Sequence, residues 1–492
     1  MGEIRLDPKL KRRIEGRKRG KKGESREGGR EGRKREWKKI GVVTILGLTP
    51  PLSRNGESPC EGVVPSRYLL DLPRLFRQTQ FPEEGVEALN MLDLLGELHR
   101  EEEYQLIPLY TKKAKEHQLK LLSQCSQFPR VREKVAQWLE GGIEIADEKN
   151  TSELFRIFNQ LLESKEYFRL IIDVTHGFRH LPLLFIIRLM MENFTNQERI
   201  ISILFGMEQK RGGPGTPGEY LIVDLKEYLD LANLAILLGT FKSNYTIDSS
   251  IKISRKFGKL QGALQRFSED TLSLNIQSLL KYSLPFLRRQ LEKIEEDPTF
   301  PAIQELRDQL LDHLTQFPSI GEPRYSIYYK LGRLMLEKNY LLNSITLLNE
   351  SGRAFLFSYL RAVGRKNPEV GRIVEYLHNL ARDEYQLGDW MGKLYRFPFL
   401  PRGFPDITPE EYRLLRKSLA PVLTTLPRCP FGGSRGSYYL LNCISHGRNS
   451  LAHANTRIRF AEVKRNILFL FNQFHQLILE LERLSSPHSH TL

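Results

Sequence analysis

The sequence predicts an α/β fold with a parallel, doubly wound sheet, followed by an all-α C-terminal region. Three observations predict it. Between about residue 40 and residue 225, short β-branched runs alternate with segments whose apolar residues recur at helical spacing, the pattern of a parallel sheet wound with helices. From Leu225 onward nearly every segment is amphipathic at helical spacing, and no convincing strand is found. A chain of 492 residues exceeds what one core organises, which predicts two to four domains.

Residues 1–40 carry 17 Lys+Arg against 7 Asp+Glu, so +10 of the formal +15 sits there and +5 remains for the body. With almost nothing apolar to bury, the tail (residues 1–39) is expected to be disordered. It reads as a solvated extension, an over-extended translation start or a non-specific nucleic-acid contact. KKIGVVTILGLTPP then opens the folded part: Val42 to Leu46 reads as a buried strand stopped by Gly47, Thr49 and two prolines. RYLLDLPRLF (67–76) and EEGVEALNMLDLLGELHREE (83–102) read as helices. YQLIPLY (104–110) reads as a strand, KKAKEHQLKLLSQC (112–125) as a helix and GGIEIAD (141–147) as a short strand. TSELFRIFNQLLESKEYF (151–168) is a helix capped by Ser or Thr ahead of Glu153. FRLIIDV (168–174), HLPLLFIIRLMMENF (180–194) and ERIISILFGM (198–207) continue as strand, helix and strand, and GPGTPGEY (213–220) reads as a loop. Beyond LKEYLDLANLAILLGTFKSNY (225–245), DPTFP (297–301) and QFPSIGEP (316–323) punctuate a helical connector. No internal repeat is found.

Bulk chemistry excludes several classes. The apolar runs are broken by charge well before the roughly eighteen residues a membrane span needs. Cys60, Cys125, Cys429 and Cys443 are too few and too scattered for a disulfide framework, and none forms a CxxC pair, so a reduced, cytoplasmic compartment is expected. The start MGEIRLDPKLKRR lacks the apolar stretch of a secretory signal.

The densest chemistry lies in IIDVTHGFRHLP (171–182). In an open parallel sheet the carboxyl ends of the strands line the crevice where ligands bind, and Asp173 to Arg179 falls at such an end. Gly177 allows close backbone approach, and the helix behind it presents unpaired N–H groups suited to phosphate. Thr175 and His176 offer a hydroxyl and an imidazole, and Arg179 a neutralising charge. GxGxxG and GxxxxGK[ST] are both absent, which disfavours a dinucleotide fold or a P-loop. The same residues also fit a satisfied turn capped by Asp173.

DVTHG resembles the D-x-T-H-G signature of CRISPR-associated proteins whose Rossmann-like CARF domain senses cyclic oligoadenylate, and the FRHLP continuation with its long apolar helix is similar too. That resemblance implies a sensor first and an all-helical HEPN effector last. It implies ligand contacts at Thr175, His176, Gly177 and Arg179, with Gly47, Leu48 and Thr49 as the second wall. No cofactor is expected; the activator is a cyclic oligoadenylate, with cyclic tetra-adenylate favoured. A rotationally symmetric ligand is matched by a two-fold protein surface, so a homodimer or higher oligomer is expected. The boundaries read are a tail at 1–39, sensor at 40–240, connector at 241–324, effector at 325–485 and flexible end at 486–492.

NCISHGRNSLAHAN (442–455) places Arg448 and His453 at the R-x4-H spacing that resembles the HEPN ribonuclease motif, with Asn449 directly after the arginine. Spacing alone decides nothing, because Arg307/His313, Arg372/His378, Arg483/His488 and Arg169/His176 fall at comparable separations. Gly447 followed by Asn449 and Ser450 reads as a helix start. That matters because a five-residue step turns about 140° on a continuous helix, which would part the two side chains. By the resemblance, Arg448, Asn449 and His453 are catalytic in cleaving single-stranded RNA without metal. The ribose 2′-OH attacks the adjacent phosphate, His453 exchanges the proton and Arg448 faces the phosphorane. His446, nearby, has a surface or packing role at least as readily as a catalytic one. The expected function is an endoribonuclease of type III CRISPR antiviral defence. The alternatives are a non-enzymatic nucleotide-sensing regulator and a self-limiting nuclease whose sensor degrades its activator through His176.

Overall fold

The computed structural model describes residues 39–48, 63–72, 82–98, 104–124, 137–145, 151–163, 167–176, 180–195, 199–212, 216–248, 251, 253–294, 301–432, 438–453 and 458–485. The expected tails at 1–39, but for Lys39, and at 486–492 lie outside the described residues.

The N-terminal part is built on an eight-stranded mixed sheet. Its strands are β1 (Lys39–Ile45), β2 (Ser66–Asp71), β3 (Val86–Ala88), β4 (Tyr104–Tyr110), β5 (Ile143–Glu144), β6 (Tyr167–Asp173), β7 (Ile200–Lys210) and β8 (Glu219–Asp224), in the order β3-β2-β8-β7-β6-β1-β4-β5. The five from β5 to β7 run parallel. The wholly parallel sheet expected from sequence is corrected at the other edge, where β7 pairs β8 and β2 pairs β3 antiparallel while β2 and β8 run parallel. RYLLDLPRLF, expected as a helix, supplies β2. EEGVEALNMLDLLGELHREE splits into β3 and α1 (Met91–Leu98). YLIVD, read as following a loop, is β8. In each case Tyr68, Val86 or Leu221 finds a strand edge to pair with, and pairing outweighs a local helical pattern.

Helices α2 (Lys112–Gln124), α3 (Thr151–Glu163) and α4 (His180–Thr195) complete the winding. Successive residues of β1 point to opposite faces, so Val42 joins Tyr68, Leu92 and Leu95 on the α1 side while Val43 and Ile45 join Phe158, Leu162 and Phe185 on the α3/α4 side. Each such fully buried aliphatic side chain contributes roughly 1.5–3 kcal/mol, which fixes β1 as the central strand of both cores.

From Lys226 the described residues form helices and their connections, with one two-residue ladder among them. Helices α5 (Lys226–Asn244), α6 (Gly258–Leu272), α7 (Leu284–Leu291) and α8 (Pro301–Thr315) share one core, into which α5 sends Leu234, Leu238 and Phe241. Helices α9 (Arg324–Glu337), α10 (Leu341–Gly364), α11 (Pro368–Leu380), α12 (Glu384–Arg396), α13 (Pro409–Leu419), α14 (Leu440–Ala452) and α15 (Phe460–Ser485) build the last core around α10. Strand-free expectation is corrected by the ladder of β9 (Thr425–Leu426) with β10 (Tyr438–Tyr439), which delivers the chain into α14 through Leu440 N–H to Thr424 O at 2.8 Å.

The helix start expected at Gly447 is corrected as well, since α14 begins at Leu440 and runs unbroken through it. Gly447 is a packing residue: a Cβ there would lie 2.6 Å from the Phe431 ring and 2.7 Å from Ile345. Gly447→Ala is therefore expected to lose about 1–3 kcal/mol through overpacking. Gly239→Ala, inside α5 with nothing within 4 Å of a built Cβ, is expected to gain about 0.5–1 kcal/mol. Urea unfolding midpoints of the two variants check this, and the same sign for both would contradict it.

Candidate functional site

The chain order around β1 defines a switch point. After β1 the chain first lays β2 and β3 at the far edge of the sheet, then places β4 and β5 on one side of β1, and crosses to build β6 and β7 on the other. The carboxyl ends of β1 and β6 thus diverge into loops with helices on opposite faces, leaving the crevice in which open α/β sheets bind ligands. Gly47 and Leu48 follow β1 directly, and Thr175 and His176 follow β6, so the structure brings these four expected residues to one edge. Thr49, Gly177 and Arg179 lie outside the described residues.

Asp173 ties that edge together. It stands opposite Thr44 in the β1/β6 ladder and is wholly buried. The Thr44 hydroxyl donates to its Oδ2 at 2.6 Å, and the Thr175 N–H donates to its Oδ1 at 3.0 Å. Burial pushes the Asp173 carboxyl up to about 6, against the lowering effect of the hydrogen bonds from Thr175 and Thr44. Thr175 is held in turn because its Oγ1 accepts the Gly206 N–H at 2.9 Å. Gly206 makes the seat possible, since a Cβ there would lie 2.5 Å from Thr175 Cγ2. On the β1 side, Gln118 Nε2 of α2 donates to Gly47 O at 3.1 Å, and Asn90 Nδ2 donates to Gln118 Oε1 at 2.8 Å. At the start of α1 Asn90 Oδ1 accepts the Asp93 N–H and Asp93 Oδ2 accepts the Leu89 N–H, so the loop after β1 is fastened to both helices.

His176 is the group these anchors leave uncommitted. Its Nε2 is buried and has no hydrogen-bond partner among the described residues. Its ring meets Tyr220 edge-on at 6.1 Å, and Tyr220 stacks on Tyr68 at 5.3 Å and 17°. Burial lowers the His176 imidazole to about 4, so at neutral pH it is an uncharged group with a polar atom awaiting a partner. Tyr220 and Tyr68 were missed by sequence reasoning because their strands were read as a loop and a helix. Their hydroxyls are kept protonated chiefly by burial.

At the other end of the chain, Arg448 and Asn449 lie in the last turns of α14 and His453 is its C-cap, all exposed. His446, Asn449 and His453 follow at steps of three and four, so they share one helix face. Arg448 falls about 140° from His453 around the axis. Its Nη1 nevertheless donates to Asn449 Oδ1 at 3.0 Å, drawing the guanidinium toward the face that carries the histidines. The helix is anchored from behind by Cys443, Ile444 and Gly447, and by a hydrogen bond between the Arg396 guanidinium and Ser445. The Cys429 thiol is drawn down, first by a hydrogen bond from Cys443 and against the raising effect of burial.

The rival Arg/His pairs have structural employment. Arg307 donates to Ile294 O, and His313 hydrogen-bonds the Tyr245 hydroxyl inside an aromatic cluster. Arg372 pairs with Glu411 at 2.7 Å and His378 stacks on Phe357. Residue 488 lies outside the described residues. No protein-family model and no curated protein matches the chain.

The His176 environment sets a pH dependence. The unfolded chain takes up a proton at this residue below its ordinary 6.5, whereas the folded one does so only near 4. The stabilisation from burying it neutral is therefore complete above pH 6.5 and lost as pH falls toward 4. Asp173, raised above its ordinary 3.8, works with the opposite sign over pH 6 to 3.8 and is common to both proteins compared. Between pH 7 and pH 4.5 the parent should lose about 2–3 kcal/mol more stability than His176→Gln. Urea midpoints at the two pH values measure the difference, and equal losses would contradict it.

Proposed function

We propose that the chain is a cyclic-oligoadenylate-gated, metal-independent endoribonuclease of the type III CRISPR ancillary class, with a CARF sensor and a HEPN effector. The observation that carries the reading is the switch-point edge, where D-x-T-H-G brings Thr175 and His176, whose buried Nε2 has no hydrogen-bond partner among the described residues, to the same end of the sheet as Gly47 and Leu48. A neutral imidazole, a hydroxyl loop and the Tyr220 edge suit an adenine ring and ribose, and Gly177, Arg179 and Thr49 complete the contacts by resemblance.

In the effector the attacking 2′-OH loses its proton to His453 as it bonds to phosphorus. The P–O5′ bond breaks, leaving a 2′,3′-cyclic phosphate and a 5′-OH that receives a proton in return. Arg448 faces the extra negative charge of the phosphorane, and Asn449 orients the guanidinium it already holds at 3.0 Å. Because Arg448 and His453 of one helix point about 140° apart, a productive site is assembled from two copies of α14, each supplying part of the constellation. A homodimer has further support in Leu183, Ile187 and Met191, which form an exposed apolar stripe at four-residue steps along α4, 59%, 43% and 60% exposed. Ligand shifts the dimer toward the active pairing by binding that state more tightly.

The test is cleavage of a fluorescent single-stranded RNA in EDTA with cyclic tetra-adenylate, cyclic hexa-adenylate or neither. One ring should accelerate cleavage, and His453→Ala should abolish about 10²-fold or more of that rate. Ligand binding without cleavage by the parent protein would replace the nuclease with a non-enzymatic sensor.

A further inference from the structure

A second cavity lies apart from both regions, where the connector meets the last helical core. It encloses about 710 Å³, within the range of small-molecule sites. Its walls are the start of α9, one face of α10, the first turns of α12, and Leu274 with Ile276 of the connector. On α10 the cavity side carries Glu350, Arg353 and Phe357, whereas Ile345 and Gly352 pack toward Gly447 and Leu441 of α14. The two sets point roughly 100–140° apart, so the cavity does not belong to the Arg448 face.

Arg353 is the feature that a purely structural hollow leaves unexplained. Its Nε is buried without a hydrogen-bond partner among the described residues, and its Nη1 is 3.5 Å from Glu350, too long for a tight pair. The Arg353 side chain lies along α12 at Gly388 and Gly392, where a built Cβ would stand 3.7 Å from it, at ordinary contact distance. Of the three acids that line the cavity, Glu350 faces Arg353 and the other two are engaged elsewhere. Glu322 receives Lys330 at 2.7 Å, the Ser319 N–H and the Ser326 hydroxyl, and Glu384 pairs with Arg324. The Arg361 side chain, by contrast, makes no hydrogen bond or ion pair among the described residues. It lies 6.0 Å over the Phe357 ring, which stacks on His378 at 5.5 Å and 15°. A smaller hollow of about 370 Å³ continues past this stack and adds Arg365. Tyr385, 75% exposed, lies among the lining residues of the larger one.

We propose that this cavity is a nucleoside-phosphate site, with the phosphates on Arg353 and Arg361 and the base against the aromatic side chains Tyr328, Phe357 and Tyr385. Guanidinium forks match phosphate oxygens, and Arg353 and Arg361 present two of them to the same cavity. The exposed Tyr385 ring offers a base a face to lie on, with the half-buried Tyr328 and Phe357 beside it. Occupancy also links Ile276 of the connector to α10 and α12, and the proposal stands without either reading of the sensor or the effector.

The test is equilibrium binding of a fluorescent ATP analogue to the full-length protein, competed by ATP, AMP, adenosine and a single-stranded RNA. Saturable binding displaced by ATP and AMP, but poorly by adenosine, is expected. Arg361→Gln and Arg353→Gln should each weaken it at least about tenfold, the effect of losing one charge-assisted contact, while His176→Gln leaves it within about twofold. Arg361 is exposed, so its variant decides the matter if Arg353→Gln does not fold. Absence of saturable binding overturns the proposal, as does displacement by RNA but not by mononucleotides. Loss in His176→Gln with no loss in Arg361→Gln moves the binding to the sensor crevice and equally overturns it.

Discussion

A buried carboxylate between two central strands sets the geometry of the N-terminal sheet's ligand-facing edge. Asp173 accepts the Thr44 hydroxyl across the β1/β6 ladder at 2.6 Å and the Thr175 N–H at 3.0 Å, at the point where the sheet changes winding direction. A charged or half-charged group placed there is costly unless both oxygens are satisfied, so the strands are held in the one register that satisfies them. Thr175 is thereby fixed, its Oγ1 reaches Gly206, and the following histidine is carried onto Tyr220. The Gln118 and Asn90 bonds do the same for the opposite lip at Gly47. The crevice is built by side chains that do not themselves line it, which leaves His176 available.

The helical end solves a different problem. Its candidate residues are exposed and few, and one helix cannot converge a five-residue pair. What the fold supplies is a rigid mount: Gly447 lets α14 press against Phe431 and Ile345, and the Arg396–Ser445 contact holds its middle. A polar face with His446, Asn449 and His453 in line is then presented outward. On the proposed reading, activity depends on what meets that face, which makes assembly the natural point of control.

Much of this was legible from residues alone. β1, β4, β6 and β7 announced themselves through β-branched runs between turn residues, and α2 to α5 through apolar periodicity. The misread segments share one cause. RYLLDLP and EYLIVD are short, carry charge, and become strands only because a distant edge is there to pair with, a non-local fact no window contains. The same error hid Tyr220 and Tyr68, and with them the aromatic side of the crevice. Gly447 misled for the opposite reason: glycine beside Asn and Ser imitates a helix boundary, whereas tertiary crowding is what requires it. Nor could spacing separate Arg448/His453 from Arg307/His313; only the partners of His313 and the exposure of His453 do so.

Hydrogen–deuterium exchange of the full-length protein, with and without cyclic tetra-adenylate and in parallel with cyclic hexa-adenylate, tests the central claim most directly. The account predicts that one ring slows exchange in peptides spanning residues 44–48 and 173–179, and that exchange also changes over residues 440–453. Exchange unchanged by either ring at the first two segments, or protection confined to other parts of the chain, would contradict it.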